Sequence, residues 1–288
     1  MADPDARGPS VAVRPMRADD IDAGLRLCRA AGWNQVARDW HQLLALTPGG
    51  ALVADVDGRV VGTITTTRYE ARFAWIGMVL VDPAARGRGI GTRLLDEGMA
   101  LLRDLPQSGL DATPAGYRLY LGRGFAEQRR LHRLQATAPP DPGTPAAVRP
   151  MQADDLAAVS ALDRPAFGAD RSAMLRWMWE GAPEYAWVAL AGGRPAGFVL
   201  GRHGHAFEHL GPIVAPGAGM ARDLAAACLH GGVEHAFVVD VPVEPAGWVS
   251  SLDALGFRVQ RPLIRMATGT ARLPGDASQF AILGPEFG

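Results

Sequence analysis

The sequence predicts a mixed α/β protein, α+β in character, built from two copies of one domain. Three observations carry that prediction. The phrase Val13-Arg14-Pro15-Met16-Arg17-Ala18-Asp19-Asp20 returns 135 positions later as Val148-Arg149-Pro150-Met151-Gln152-Ala153-Asp154-Asp155. Within each copy, helical and strand periodicities alternate. In the first copy an apolar strand runs through a glycine-rich loop into a helix. Other landmarks repeat at nearly the same offset: Gly58-Arg59-Val60-Val61-Gly62 with Gly193-Arg194-Pro195-Ala196-Gly197, and Gly124-Phe125 with Gly256-Phe257. A repeat this long means a duplicated domain, not a solenoid.

The elements follow in order. Residues 11–16 form a short strand, and Asp19 caps a helix whose face is Ile21, Leu25 and Leu27 and which stops at Gly32. Residues 36–46 form a second helix, ending before Pro48-Gly49-Gly50. Residues 51–55 and 59–69 pair as a hairpin across Asp57-Gly58, a favoured tight-turn pair. Trp75 to Val81 is a buried strand, stopped by Asp82-Pro83 because proline cannot donate to a sheet ladder. After the loop 86–92, Leu94, Leu95, Met99, Leu101 and Leu102 recur at helical spacing. A short strand at 109–112, a helix at 114–121 and a strand at 125–135 complete the copy. The second copy reads the same way: helices at 154–162 and 171–179, a hairpin at 186–190 and 196–202, and a central strand at 205–214. A helix at 220–229, a strand at 236–241, a helix at 248–255 and a last strand at 257–266 follow. The tail beyond Met266 ends in Phe280-Ala281-Ile282-Leu283 and is apolar enough to dock as an extra strand.

The expected organisation is a disordered lead over 1–10, a first domain over 11–135, a Pro-rich linker over 136–146 and a second domain over 147–288. A net charge of -1 gives no reason to expect nucleic acid or an anionic membrane as partner. The apolar runs are too short to span a bilayer. The N-terminus has no apolar signal segment, and two cysteines in separate helical patterns, Cys28 and Cys228, suit a reducing cytoplasm as small buried residues.

The loop carries the chemistry. The first turn of a helix presents N–H groups without helical partners, and its dipole favours an anion. Glycines let a ligand approach the backbone, and two arginines add positive charge. A diphosphate cradle is therefore expected at Arg86-Gly87-Arg88-Gly89-Ile90-Gly91-Thr92. The terminal Gly-Lys-Ser/Thr of a P-loop is absent, and the glycine spacing is not that of a dinucleotide fingerprint.

The pattern Arg86-x-x-Gly89-x-Gly91 after a strand, with Tyr120-x-x-x-Gly124-Phe125 further on, resembles the GNAT N-acetyltransferase superfamily over about 125 residues of the first copy. The resemblance implies a mixed, mostly antiparallel twisted sheet flanked by helices in each of two tandem domains. It also implies acetyl-CoA as cosubstrate, no metal, and transfer of the acetyl group to a primary amine. Loop residues 86–92 would hold the diphosphate. Val79, Leu80 and Val81 would pair with the pantetheine arm as an added strand, and a backbone N–H near Val79 would face the thioester carbonyl. Tyr120 would protonate the leaving sulfur. Glu70 and Asp111 are both candidates for the general base; each could equally be a structural carboxylate, with bound water removing the proton instead. Trp33 and Asn34 lie where this family walls its acceptor pocket, Trp33 as an apolar wall or a residue packed between helices, Asn34 as a polar hook.

His203, His205 and His209 cluster in sequence without the rigid third or fourth ligand a metal site needs. The second copy reads Val214-Ala215-Pro216-Gly217-Ala218-Gly219 at the loop position and Leu252 at the position of Tyr120. It is expected to be a degenerate domain that completes or supports the first. The partner expected is a small amine, on a monomer or homodimer. A protein lysine or N-terminal acceptor, or a non-catalytic acyl-CoA-binding module, are the alternatives.

Overall fold

The structure, a computed structural model, describes residues 11–137, 139–230 and 235–288. The expected N-terminal lead and Ala138 of the expected linker lie outside the described residues. The first copy contributes β1 (Val11–Pro15), α1 (Ile21–Ala30), α2 (Ala37–Leu46), β2 (Ala51–Val56), β3 (Arg59–Tyr69) and β4 (Phe73–Val81). It continues with α3 (Ile90–Ala100), β5 (Ser108–Ala112), α4 (Tyr117–Leu121) and β6 (Ala126–Thr137). The second copy repeats the order as β7 (Val148–Pro150), α5 (Leu156–Phe167), α6 (Ser172–Gly181), β8 (Trp187–Ala191), β9 (Arg194–Arg202) and β10 (Glu208–Val214). It ends with α7 (Ala218–Leu229), β11 (Ala236–Pro242), α8 (Trp248–Asp253), β12 (Arg258–Ala267) and the tail strand β13 (Gln279–Ala281). The central strand of the second copy starts at Glu208 rather than 205, because residues 203–207 form a loop.

The two sheets are continuous. The order is β1-β2-β3-β4-β5-β12-β6-β11-β10-β9-β8-β7, with β13 beside β10. Each copy therefore lends its last long strand to the other. β12 pairs with β5 of the first copy (Ile264 opposite Ala112), and β6 pairs with β11 of the second (Leu134 opposite Val239). β6 and β12 run antiparallel against one another at the centre. This exchange hides the edge each half-sheet would otherwise expose. One buried cluster spans both copies, with Trp40 and Trp75 of the first, Phe167 and Phe198 of the second, and Leu283 and Phe287 of the tail. Cys28 and Cys228 are buried and not bonded to each other.

β4 and β5 are parallel but meet only at Ala74 with Ser108 and Trp75 with Gly109. Beyond Trp75 they splay. The cause is local: β4 carries one extra residue between Gly77 and Leu80 relative to β3, and Met78 takes a φ of 51°. A bulge of this kind bends the strand and frees its far edge. The Thr63 hydroxyl donates to the Met78 carbonyl at 2.7 Å, so the displaced peptide keeps a partner.

The second copy has the same bulge, between Leu210 and Ile213, with Gly211 at a φ of 140°. Its splay is filled. β13 pairs with β10 there (Ile213 opposite Ala281), and the Ile282 N–H donates to Asp240 of β11 at 2.9 Å. A Cβ on Gly211 would come within 2.0 Å of the Ile282 carbonyl oxygen, so the tail lies directly on the strand.

Candidate active site

The splay in the first copy opens into a cavity. Ile76 to Val79 of β4 form one wall and Leu110 with Asp111 of β5 another. Tyr120 from α4 closes one side and Trp33 another, and Gln35 stands beside Trp33. Arg133, Arg261 and Leu263 come from the two exchanged strands, and Pro285 with Glu286 from the tail.

The loop before α3 has the geometry its composition predicts. Gly87 and Gly89 both sit at a φ of 75°, in the left-handed region that glycine enters without strain, and nothing stands within 4 Å of where a Cβ would be. The first helical bond runs from the Arg93 N–H to the Gly89 carbonyl at 3.0 Å, so the amides of Ile90, Gly91 and Thr92 precede the ladder. Arg88 is exposed, and Arg86 donates to the Val81 carbonyl at 3.2 Å. The residues present fit a diphosphate. The second copy passes from Val214 to Ala218 in three residues, with Gly217 at a φ of -171°, so no such loop exists there. Counting back from Pro83 and Pro216, Pro212 also stands where Val79 stands in the first copy, and it has no N–H to offer.

Val79 lines the cavity, while Leu80 and Val81 pair with Thr63 and Gly62 of β3. Among the described residues, the edge of β4 that faces β5 has no strand partner beyond Trp75. Tyr120 is buried beside Phe125, and its hydroxyl makes no protein hydrogen bond among the described residues. Burial pushes its pKa up to about 12.

The two carboxylates expected near the chemistry are placed differently. Glu70, at a φ of 55° on the β3–β4 turn, pairs with Arg164 at 2.7 Å and is not among the residues lining the cavity. A general base must come within hydrogen-bond reach of the proton it takes. Asp111 lines the cavity, but both its oxygens accept from Arg265 of β12 at 2.9 Å. Burial raises its pKa against the pull of that guanidinium.

Trp33 lines the cavity. Asn34, expected as a polar hook, is engaged with the second copy through both ends of its amide. Its Nδ2 donates to the Phe207 carbonyl at 2.8 Å, and its Oδ1 accepts from the Ala206 and Phe207 N–H groups at 2.9 and 3.1 Å. It fastens the α1–α2 connection to the second copy. The three histidines go elsewhere: His203 lies 3.1 Å from Glu184 and 2.8 Å from Glu208, the His205 N–H donates to the Asn34 carbonyl at 2.8 Å, and His209 is buried between Arg202 and Asp240. Among the described residues no cluster could hold a metal ion, and no helix is long and apolar enough to cross a membrane.

Sequence reasoning missed the residues that the second copy and the tail bring. Glu286 is buried, accepting from Gln35 Nε2 at 2.9 Å and from Arg202 at 2.5 Å. Arg202 also donates to Asp39 at 2.7 Å and to Nδ1 of His209 at 3.0 Å. Because that nitrogen accepts, the ring is neutral, and burial together with Arg202 holds its pKa down. Arg133 makes a two-pronged pair with Asp240 at 2.8 and 2.6 Å, the geometry a planar guanidinium fits best. The tail is held by Tyr69 donating to the Phe287 carbonyl at 2.5 Å, Trp75 Nε1 to Pro285 at 2.8 Å and Arg171 to Gly288 at 3.1 Å. A lone acid in the apolar tail was the one signal available for Glu286.

Comparison with known proteins agrees with this layout. Residues 24–125 match the "Acetyltransferase (GNAT) family" profile and residues 159–281 match an "Acetyltransferase (GNAT) domain" profile. Holothin acyltransferase of Pseudoalteromonas sp. is 25% identical over 241 residues, covering 83% of this chain and 82% of that protein. The uncharacterised N-acetyltransferase YitH of Bacillus subtilis is 26% identical over 244 residues, covering 84% and 86%. A putative acetyltransferase from Pyrococcus horikoshii shares the fold at a TM-score of 0.82, with 21% identity over 100% of this chain and 99% of that one. With one GNAT match on each half and the site in the first, the chain belongs to the GNAT acetyltransferase family as a tandem two-domain member.

Proposed function

We propose that this protein transfers an acetyl group from acetyl-CoA to a primary amine of a small molecule, by direct attack with both substrates bound. The observation that carries the reading is the unpaired edge of β4 opening onto a cavity walled by Val79 and Tyr120. The loop 86–92 would hold the diphosphate, and the β4 edge would take the pantetheine arm in place of a strand. An N–H near Val79 would stabilise charge developing on the carbonyl oxygen. The amine nitrogen bonds to the carbonyl carbon, the carbon–sulfur bond breaks, and the leaving thiolate takes the Tyr120 proton. The proton lost by the amine passes to water and restores the tyrosine. A cavity enclosed by Trp33 and by Pro285 with Glu286 suits a small acceptor.

The test is release of free thiol from acetyl-CoA across a panel of amines, with the acetylated amine identified by mass. Release that depends on amine supports the reading; CoA binding without release across the panel would leave a binding module. The filled splay of the second copy predicts a separate outcome. Calorimetric titration with CoA should give one equivalent per chain, and two equivalents would show that β13 yields its place.

A further inference from the structure

The cavity wall carries four charged side chains, and three of them are answered from behind. Asp111 is held by Arg265, Arg133 by Asp240, and Glu286 by Arg202. Arg261 is not: it makes no ion pair or hydrogen bond among the described residues, and its Nε is buried without a partner. It also sits directly opposite Arg133 across the β6–β12 pair, both reaching the same cavity. Like charges facing across a strand pair destabilise a sheet. Burial and Arg133 hold the pKa of Arg261 below the ordinary arginine value. A guanidinium whose Nε is buried without a hydrogen-bond partner, and which Asp240 and Glu286 answer only through space, is costly to the free protein and is relieved by an anion that enters the cavity.

Resting on the acetyltransferase reading, we propose that the acceptor amine also carries an anionic group, a carboxylate or a phosphonate, which Arg261 recognises. Arg261 thus sets specificity for an amino-acid-like acceptor over a neutral amine. It lies on β12, a strand of the second copy, so the degenerate domain supplies the residue that chooses the acceptor. Trp33 and Leu263 add apolar surface to the same cavity.

The experiment compares three matched acceptors, an amino acid, its aminophosphonic analogue and its amide, in the wild type and in Arg261→Gln and Arg261→Lys. Thiol release is followed at saturating acetyl-CoA. The wild type should favour one or both acids over the amide. Arg261→Gln should raise the acceptor KM for the acids roughly 10- to 100-fold, the worth of a lost charged hydrogen bond. It should leave the amide and the acetyl-CoA KM unchanged, with Arg261→Lys in between. Because Arg261 has no hydrogen-bonded partner among the described residues and its charge is costly to the free protein, the glutamine variant should melt no lower than the wild type. Equal use of acid and amide by the wild type, or an unchanged acid-to-amide ratio in Arg261→Gln, overturns the proposal while leaving the transferase reading standing. No thiol release with any amine overturns both.

Discussion

Replacing Tyr120 with phenylalanine is expected to lower kcat by roughly 100-fold or more, within the usual contribution of a positioned general acid. The KM for acetyl-CoA should stay nearly constant, since in the proposed mechanism the hydroxyl acts only as the carbon–sulfur bond breaks. The fold should tolerate the change. The ring is buried against Phe125, and its hydroxyl has no protein partner among the described residues, so removal strands no buried group. The pH dependence has a definite sign. A general acid works in its protonated form, and burial lifts the Tyr120 pKa to about 12. The hydroxyl should stay competent across the accessible range, with no falling limb of its own below about pH 11. A falling limb near pH 10 in the wild type that vanishes in the variant would show that the hydroxyl ionises earlier. Full turnover in the variant at every pH would remove the acid role altogether.

The largest effect on stability is expected at Arg202. Its guanidinium, 2% exposed, is shared by Asp39 of α2 and Glu286 of the tail, which are buried equally well. Arg202→Met conserves bulk but leaves two carboxylates facing each other out of water. Breaking a single buried pair in this way costs about 3–5 kcal/mol, a large share of the roughly 5–15 kcal/mol that holds a domain together. Urea unfolding should show a loss of at least that size. Arg202→Met combined with Asp39→Asn and Glu286→Gln should recover most of it, because it is the uncompensated charge and not the missing arginine that destabilises. A loss below about 1 kcal/mol in the single variant would mean that water reaches the cluster. Since Arg202 ties a helix of the first copy to the tail of the second, both halves should melt in one transition.

How much of this was legible before folding depends on how local each signal is. The glycines at 87 and 89, the helix after them and Pro83 before them act within one turn of chain, and the sequence names them. The duplication is equally plain, because Val13 to Asp20 and Val148 to Asp155 can be laid side by side. Asn34 shows the limit. A polar residue in the α1–α2 connection reads as a hook for a ligand, yet its three hydrogen bonds go to residues about 170 positions away. Glu70 and Asp111 are likewise ambiguous as local readings, either a base or a structural carboxylate. Each is a carboxylate near a strand end, and only the partner, Arg164 or Arg265, shows that it is engaged.

By itself, then, the sequence determined the two copies, the order of their elements, the loop before α3 and the loss of that loop in the second half. Those features rest on periodicity, turn chemistry and the freedom of glycine, which depend on a few neighbouring residues. Folding alone decided that β6 and β12 change places and that the tail, legible beforehand as an extra strand, docks in the second splay. It also set Arg261 and Glu286, from the far end of the chain, around the cavity of the first half. Strand exchange and tail docking are settled by which edges and apolar faces remain uncovered once each half has formed, and no short stretch of sequence records that competition.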